Sequence, residues 1–249
     1  MPLPQELTTA LAAVAAAPRL LVATDFDGVL APFVVDPMDS RAQPGTLEAL
    51  TALAAAPATW SAVVSGRDLA TLDELTGLAG STVTRIGSHG AQSSRGGELP
   101  EGTAPTIAAL RGAVEAAVAA REPRIRLEHK PAAVVLHTRG LPDDVLPTAA
   151  AIADEAAAAP GVTHLAGKGV HELSVLRADK GTALRELASA LEVDATVYLG
   201  DDVTDEHAFA VLGEGDLGIK VGAGETAASA RVDDATAVPE ILATLASLR

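Results

Sequence analysis

The stretch RLLVATDFDGVLAPF, residues Arg19 to Phe33, decides the fold, because an apolar run ends there in two carboxylates one residue apart. A buried strand favours apolar side chains, whereas the neighbouring negative charges of Asp25 and Asp27 repel each other. The pair therefore needs a compensating partner such as a metal ion. The rest of the chain is expected to supply residues that complete this site.

Composition sets the class of protein. The chain has 249 residues and 48% apolar content, which is ample for a buried core. A net charge of −15 argues against binding to nucleic acid or to an anionic membrane, and leaves room for a small ligand in a local basic pocket. Without cysteine there are no disulfides, thiolate zinc sites or cysteine nucleophiles. The N-terminal stretch has no basic leader and no membrane-spanning run, so we expect a cytoplasmic protein. We also expect a monomer.

Short β-branched runs alternate with alanine- and leucine-rich segments of helical spacing, which predicts an α/β fold with a parallel sheet covered by helices. In such sheets ligands bind beyond the carboxyl ends of the strands. The runs are RLLVATDFD, TWSAVVSG, TVTRIGSHG, HELSVL, ATVYLGDD and GDLGIKVG. The polar residues near their ends include Asp25, Asp27, Ser65, Arg67, Ser88, His89, Asp201 and Asp202.

The rhythm changes between GSHGAQ and HELSVLRADKG. A glycine-rich connection is followed there by a helical segment (107–120), the hairpin-like RIRLEHKPAAVVLHTRG and a second helical segment (144–158). This block predicts an inserted, smaller α/β cap domain over residues 93–172, with the core formed by 1–92 and 173–249. The glycine-rich joints either act as hinges or simply turn the chain.

An aspartate pair at a strand end suits phosphoryl transfer. One carboxylate can attack phosphorus, while the other protonates the departing oxygen and then activates water. Ser65 adds a neutral donor, and Lys180, one of only four lysines in the chain, begins a helical segment. An oxygen-rich carboxylate site without histidine or cysteine favours Mg²⁺, which would hold Asp25 and Asp201 together.

The ordered set DFDGVL, SGR, a lysine and GDDVTDE resembles the four motifs of the haloacid dehalogenase-like hydrolases. Within that superfamily DFDGVLAPFVVDP, VVSGRDLATLDEL, GSHGAQ, LEHKPAAVVLHTR and GDDVTDEHAF resemble the trehalose-6-phosphate phosphatase family. The resemblance implies a Rossmann-like parallel-sheet hydrolase core with an inserted cap. It also implies Mg²⁺-dependent hydrolysis of trehalose 6-phosphate, as in trehalose biosynthesis.

The resemblance also implies roles for individual residues. It makes Asp25 the nucleophile that becomes an aspartyl phosphate and Asp27 the general acid and base. It assigns Ser65 and Lys180 to the transferring phosphoryl oxygens. The implied Mg²⁺ ligands are Asp25, the backbone oxygen of Asp27, Asp201 and Asp202, the last being either a direct ligand or a residue that orients the others.

Four assignments stay open between two interpretations. Arg67 either contacts phosphate or forms a salt bridge that holds the strand end. His89 either lies near the sugar or is a structural hydrogen-bonding group. Asp205 and Glu206 are either catalytic or first-turn acids at a helix N-terminus.

The hairpin of the cap carries the predicted specificity residues. Period two places Glu128 and Lys130 on one face of a strand, and His137 and Arg139 do the same on the other arm. In the family such cap residues recognise the sugar. The alternative interpretation is that these charged side chains simply face solvent and pair with each other across the strands. The predicted sugar-binding set is Glu128, Lys130, Arg139 and Glu172.

Two departures from the family pattern and several rival functions remain. Val29 stands where threonine is common, and Thr138 where an aromatic residue is frequent, which affects the cap more than the chemistry. Rival enzymes are phosphatases of sucrose 6-phosphate or of a mannosyl phosphate, and a phosphomutase. A non-catalytic sugar-phosphate-binding regulatory domain belongs to another class. A nucleotide-binding Rossmann protein is disfavoured, because no glycine fingerprint follows the first strand.

Overall fold

The computed structural model describes residues 3–34, 36–96, 103–167, 169–175 and 179–249. Internal contacts divide the chain into two compact units. Unit 1 comprises Met1–Gly96 and Ala178–Arg249, and unit 2 comprises Gly97–Arg177.

The described residues form two sheets and the helices that cover them. The strands are β1 (Leu20–Thr24), β2 (Thr59–Val64), β3 (Thr84–Gly87), β4 (Gln92–Ser93), β5 (Arg126–Lys130), β6 (Ala133–His137), β7 (Thr163–Gly167), β8 (Val170–Ser174), β9 (Ala195–Gly200), β10 (Leu217–Val221) and β11 (Ala230–Val232). The α-helices are α1 (Gln5–Ala15), α2 (Thr46–Ala55), α3 (Leu69–Thr76), α4 (Thr103–Arg121), α5 (Leu146–Ala157), α6 (Lys180–Leu191), α7 (Val203–Phe209) and α8 (Val238–Leu248).

Unit 1 is built on a sheet of order β11-β10-β9-β1-β2-β3-β4, in which every pairing is parallel except that of β3 with β4. β1, β9 and β10 are buried along their whole length, as expected for strands covered on both faces. Leucines of α1, α2 and α3 and Ile241 of α8 pack in one apolar layer, whereas α6 and α7 contribute to a second. The predicted α/β fold is therefore confirmed.

Unit 2 is an antiparallel sheet of order β5-β6-β8-β7 with two helices packed on it. Side chains of α4 and α5 share a core with Val134, Leu136 and Leu173 of the sheet. The predicted hairpin and the two predicted helices are present, with somewhat different ends.

One predicted strand belongs to a different sheet. HELSVL was expected among the parallel strands, but residues 170–174 form β8, which pairs antiparallel with β6 and β7. The physical reason is that this run is only half-buried except at Leu173, which suits a sheet with one open face. The expected boundary after residue 172 thus falls inside β8, and Leu173 and Ser174 lie in unit 2. The short strands β4, β7 and β11 were not predicted.

Candidate active site

Asp25 follows the central strand β1 and is held on both of its carboxylate oxygens. Its Oδ2 accepts a hydrogen bond from Lys180 Nζ at 2.6 Å, and its Oδ1 accepts one from the Phe26 backbone N–H at 2.6 Å. Burial raises the pKa of Asp25 to about 8, although the ammonium of Lys180 opposes this shift. Positive charge beside Asp25 therefore favours its ionised form against the effect of burial.

Lys180 is the first residue of α6 and is only 2% exposed. A second carboxylate holds it, since Nζ also donates to Asp205 Oδ1 at 2.8 Å. Burial opposes the charge of the lysine, yet Asp25 and Asp205 raise its pKa above the usual value. The amine is therefore a fixed positive charge beside Asp25.

Asp205 organises the neighbouring strand end. Its Oδ1 also accepts a hydrogen bond from Tyr198 Oη at 2.7 Å, and its Oδ2 accepts from the backbone N–H groups of Asp201 and Asp202 at 2.9 and 3.0 Å. Burial tends to raise its pKa, but the charge of Lys180 and these hydrogen bonds lower it below the usual value. Asp205 is thus an ionised, fully engaged carboxylate that positions Lys180 and the start of α7.

Three carboxylates are close enough to hold a metal ion. One ligand oxygen each of Asp25, Asp201 and Asp205 lies within 4.8 Å of the others. Burial and the charge of Asp205 raise the pKa of Asp201 to about 6, and its buried Oδ1 accepts no hydrogen bond from the described residues. Gly28 leaves room for this carboxylate, since a Cβ there would lie 2.2 Å from Asp201 Oδ2. These residues fit a divalent cation. Each Asp205 oxygen already accepts two hydrogen bonds, whereas each Asp25 oxygen accepts one and Asp201 Oδ1 accepts none from the described residues, so Asp25 and Asp201 have more capacity left to bind an ion.

Asp27 and Arg67 form an ion pair between the ends of β1 and β2. This contact agrees with the salt-bridge interpretation of Arg67. The guanidinium binds the carboxylate of Asp27, the residue predicted to act as both acid and base. Asp27 also accepts a weaker hydrogen bond from Ser40 Oγ at 3.3 Å.

A cavity of about 160 Å³ is lined by most of the site residues predicted for the core domain. Ser65 is buried at the end of β2, and the ring of His89 lies against Gly66, where a Cβ would approach it to 2.6 Å. His89 has a positive φ of 55°, in the left-handed region that non-glycine residues seldom adopt. The residues that line the cavity include Asp25, Asp27, Ser65, His89, Lys180, Asp201 and Asp202.

Asp202 has a second role at this strand end. It is the N-cap of α7, where its Oδ1 accepts a hydrogen bond from the Val203 N–H at 2.6 Å, and it forms a reciprocal capping box with Asp205. Its carboxylate is exposed and is not among the three clustered ones. Asp202 as a metal ligand remains a prediction.

The predicted sugar-binding residues all lie in unit 2. Lys130 Nζ donates to Glu172 Oε2 at 2.8 Å, and Glu128 Oε2 lies 2.7 Å from His137 Nε2. The strand register puts these four side chains on the sheet face opposite Leu173. Arg139 lies beyond the end of β6 and is exposed. The structure therefore brings Glu128, Lys130 and Glu172 onto one charged face, and Arg139 lies just outside the strand.

Sequence reasoning did not single out Tyr198, Lys220 or Phe33. Tyr198 and Lys220 are buried polar groups within apolar strand runs, and that misfit is a signal that the sequence does carry. Phe33 is 75% exposed and lines the catalytic cavity, but an isolated phenylalanine after a strand gives no such signal.

A parallel sheet with an aspartate pair after its central strand, and with a lysine and further acids at adjacent ends, is the fold of the haloacid dehalogenase-like class: a solved haloacid dehalogenase-like hydrolase from B. subtilis has a TM-score of 0.55 at 16% identity, over 90% of this chain and 98% of that one. Within that class the chain belongs to the trehalose-phosphatase family, whose family model matches residues 23–238.

Individual relatives agree with this family. A trehalose-phosphate phosphatase of Mycobacterium marinum is 33% identical over 250 residues, covering 92% of this chain and 62% of that protein. The chain thus spans less than two thirds of the length of this relative. A solved structure of a trehalose-6-phosphate phosphatase related protein has a TM-score of 0.70 at 29% identity, over 92% of this chain and 97% of that one. The C-terminal domain of C. albicans trehalose-6-phosphate phosphatase shares the fold, with a TM-score of 0.71 at 23% identity over 98% and 97% of the two chains.

In the part of the chain that the structure describes, no helix combines the length and apolar character needed to cross a membrane.

Proposed function

We propose that this chain hydrolyses trehalose 6-phosphate to trehalose and inorganic phosphate. The observation that carries the proposal is the single cavity lined by Asp25, Asp27, Ser65, Lys180 and Asp201, which come from separate segments of the chain. The substrate follows from family membership and from the names of the relatives. A cytoplasmic, monomeric enzyme is part of the proposal, on the grounds of composition alone.

The reaction proceeds in two displacements. A carboxylate oxygen of Asp25 attacks phosphorus, the bond from phosphorus to the sugar oxygen breaks, and Asp27 gives that oxygen a proton. Asp27 then takes a proton from water as the water oxygen attacks phosphorus, and the bond to Asp25 breaks to release phosphate. Asp27 returns to its protonated state and Asp25 to its carboxylate state.

The other residues of the cavity stabilise charge and hold the reacting groups. Lys180 and the hydroxyl of Ser65 face the oxygens of the phosphoryl group. Arg67 holds Asp27 in the carboxylate form that takes the proton from water, and the protonated form keeps only one of the two hydrogen bonds from Arg67, so that its other oxygen carries the proton. Asp25, Asp201 and the backbone oxygen of Asp27 would hold Mg²⁺, with Asp202 as a further candidate. When bound, the ion supplies positive charge that keeps Asp25 ionised and offsets the charge of the phosphate.

Recognition of the sugar is assigned to unit 2. Its charged face carries two acids and a lysine, which can hydrogen-bond sugar hydroxyls. Glu128, Lys130, Arg139 and Glu172 are therefore proposed to select the sugar, with His89 of unit 1 near the phosphate-bearing end.

Phosphate release from a panel of sugar phosphates tests the proposal. Trehalose 6-phosphate, glucose 6-phosphate and sucrose 6-phosphate are compared with Mg²⁺ and with chelator, for wild type, Asp25→Asn and the exposed control Asp39→Asn. Selective, Mg²⁺-dependent release that is lost only in Asp25→Asn supports the reaction and its nucleophile. Release from another sugar phosphate alone would keep the mechanism and reject the substrate, and no release from any would indicate a binding protein.

A further inference from the structure

Lys220 is a buried lysine that the mechanism above does not use. It lies on β10 with 4% exposure, and its register partner on β9 is Gly200, the residue just before Asp201. Burying an ammonium group costs free energy unless hydrogen bonds and opposite charge compensate for it. Here Nζ donates to the backbone oxygen of Asp201 at 2.7 Å and lies 3.3 Å from Glu206 Oε1.

The hydrogen bond from Lys220 is the second one to the backbone of Asp201, which is also held through its N–H group. The N–H of Asp201 donates to Asp205 Oδ2 at 2.9 Å, while its carbonyl accepts from Lys220. With both backbone polar groups engaged, the peptide units on either side of Asp201 cannot rotate without breaking a part-buried hydrogen bond. The backbone of Asp201, and with it the direction of its Cα–Cβ bond, is held as a result.

That direction matters because of the atom it presents. Asp201 Oδ1 is buried and receives no hydrogen bond from the described residues, and the other members of its acidic cluster are Asp25 and Asp205. Gly28, which has φ +80°, lies against this carboxylate, since a Cβ there would be 2.2 Å from Asp201 Oδ2. A small rotation of Asp201 would move its oxygen away from Asp25 or into Gly28.

We infer that Lys220 is a positioning residue for the cation site, in that its ammonium fixes the Asp201 carbonyl and so aims the Asp201 carboxylate toward Asp25. The inference rests on the proposed function, because the cation site is part of it. Outer contacts of this kind commonly change metal affinity by about 10- to 100-fold when they are removed.

Glu206 offers a purely structural role for the same lysine. Its Oε2 accepts hydrogen bonds from the Ala227 N–H at 2.8 Å and from Thr226 Oγ1 at 3.2 Å, so it ties α7 to the connection between β10 and β11. If Lys220 served only this connection, its contact with Glu206 would matter and its contact with Asp201 would not. The two roles therefore predict different results for two matched variants.

The experiment measures equilibrium binding of Mn²⁺, a spectroscopic probe for oxygen-ligand sites, to the full chain. Free Mn²⁺ is followed by electron paramagnetic resonance, with displacement by Mg²⁺, for wild type, Lys220→Met, Glu206→Gln and the site control Asp201→Asn. Lys220→Met is expected to weaken binding by about tenfold, whereas Glu206→Gln, which leaves the bond from Lys220 to Asp201 in place, stays within about twofold of wild type.

Thermal melts in chelator establish that each variant is folded. Wild-type affinity in folded Lys220→Met, or equal weakening in Glu206→Gln and Lys220→Met, overturns the inference. Should Lys220→Met fail to fold, Lys220→Arg decides, because arginine keeps the charge opposite Glu206 but cannot place a compact ammonium on the Asp201 carbonyl. Severalfold weaker binding then supports the inference, and wild-type affinity rejects it.

Failure of the proposed function looks different. Wild type and Asp201→Asn would then bind Mn²⁺ equally weakly, and phosphate release would be absent or unaffected by chelator. That result would reject the cation site and with it the inference. If wild type binds Mn²⁺ and Lys220→Met binds it with the same affinity, only the inference is rejected.

Discussion

The guanidinium of Arg67 holds the carboxylate of Asp27 through two parallel hydrogen bonds, from Nε to Oδ2 at 2.6 Å and from Nη2 to Oδ1 at 2.7 Å. The same guanidinium carbon lies 5.6 Å from the ring centre of Phe26, which adds a second constraint on its position. The proposed acid and base is thus fixed in orientation by a residue from the next strand end.

Arg67→Lys is therefore expected to reduce kcat for trehalose 6-phosphate by about tenfold or more, because a single ammonium cannot reproduce the two-bond geometry. Steady-state phosphate release measures the effect. Arg85→Lys is the matched control, since Arg85 pairs with Asp73 away from the cavity. If kcat falls equally in both variants, the loss reflects stability rather than orientation of Asp27.

Gly28→Ala is expected to lower activity strongly through a close contact, because the new Cβ would lie 2.2 Å from Asp201 Oδ2. Gly45→Ala is the control, with a similar φ of +86° and no atom within 4 Å of the new Cβ. Both variants should lose about 1–2 kcal/mol of unfolding free energy in urea, since each places a Cβ in the left-handed region. Only Gly28→Ala should lower kcat, by about a hundredfold, and comparable kcat in the two would contradict the packing around Asp201.

Asp179→Ala is expected to cost about 1 kcal/mol of stability at neutral pH, because Asp179 is the N-cap of α6 and accepts hydrogen bonds from Thr182 N and Oγ1 at 2.9 and 2.8 Å. Burial tends to raise the pKa of Asp179, but these hydrogen bonds lower it below the usual 3.8. The ionised form of Asp179 therefore stabilises the fold at pH values above the usual pKa of 3.8. This contribution to stability is lost as the pH falls through the lower pKa of the folded state.

Urea unfolding at neutral and acidic pH measures this dependence. The difference between wild type and Asp179→Ala should shrink in acid, whereas Asp179→Asn, which caps without ionising, should keep its stability relative to Asp179→Ala. A constant difference between wild type and Asp179→Ala across this range would show that the charge of Asp179 has no role.

Glu128→Ala is expected to raise KM for trehalose 6-phosphate by about tenfold, because the proposed sugar site loses a charged hydrogen-bond acceptor. Hydrolysis of a small aryl phosphate, which has no sugar for these residues to bind, should be unchanged. Glu115→Ala is the control, because Glu115 lies on α4 and pairs with His129 rather than with a residue of the charged face. Equal loss on both substrates would reject the assignment of sugar choice to unit 2.

Much of the fold and of the site could be predicted from sequence because the signals are local. β1 and β9 are continuous apolar runs, and the residues that follow them, Asp25 and Asp201, reach the cavity because parallel strands share their carboxyl ends. The strand HELSVL was assigned to the wrong sheet because the sequence of a short run indicates how it is buried but not which strand it pairs with, here β6.

By itself, then, the sequence determined the class of sheet, the order of its motifs and the residue types that the chemistry needs. The tertiary structure alone decided which groups meet: Arg67 with Asp27, Lys180 with both Asp25 and Asp205, and Lys220 with the carbonyl of Asp201. The reason is that backbone propensity and apolar periodicity act over a few residues. The free energy of a buried charge, by contrast, depends on partners that folding brings from distant parts of the chain.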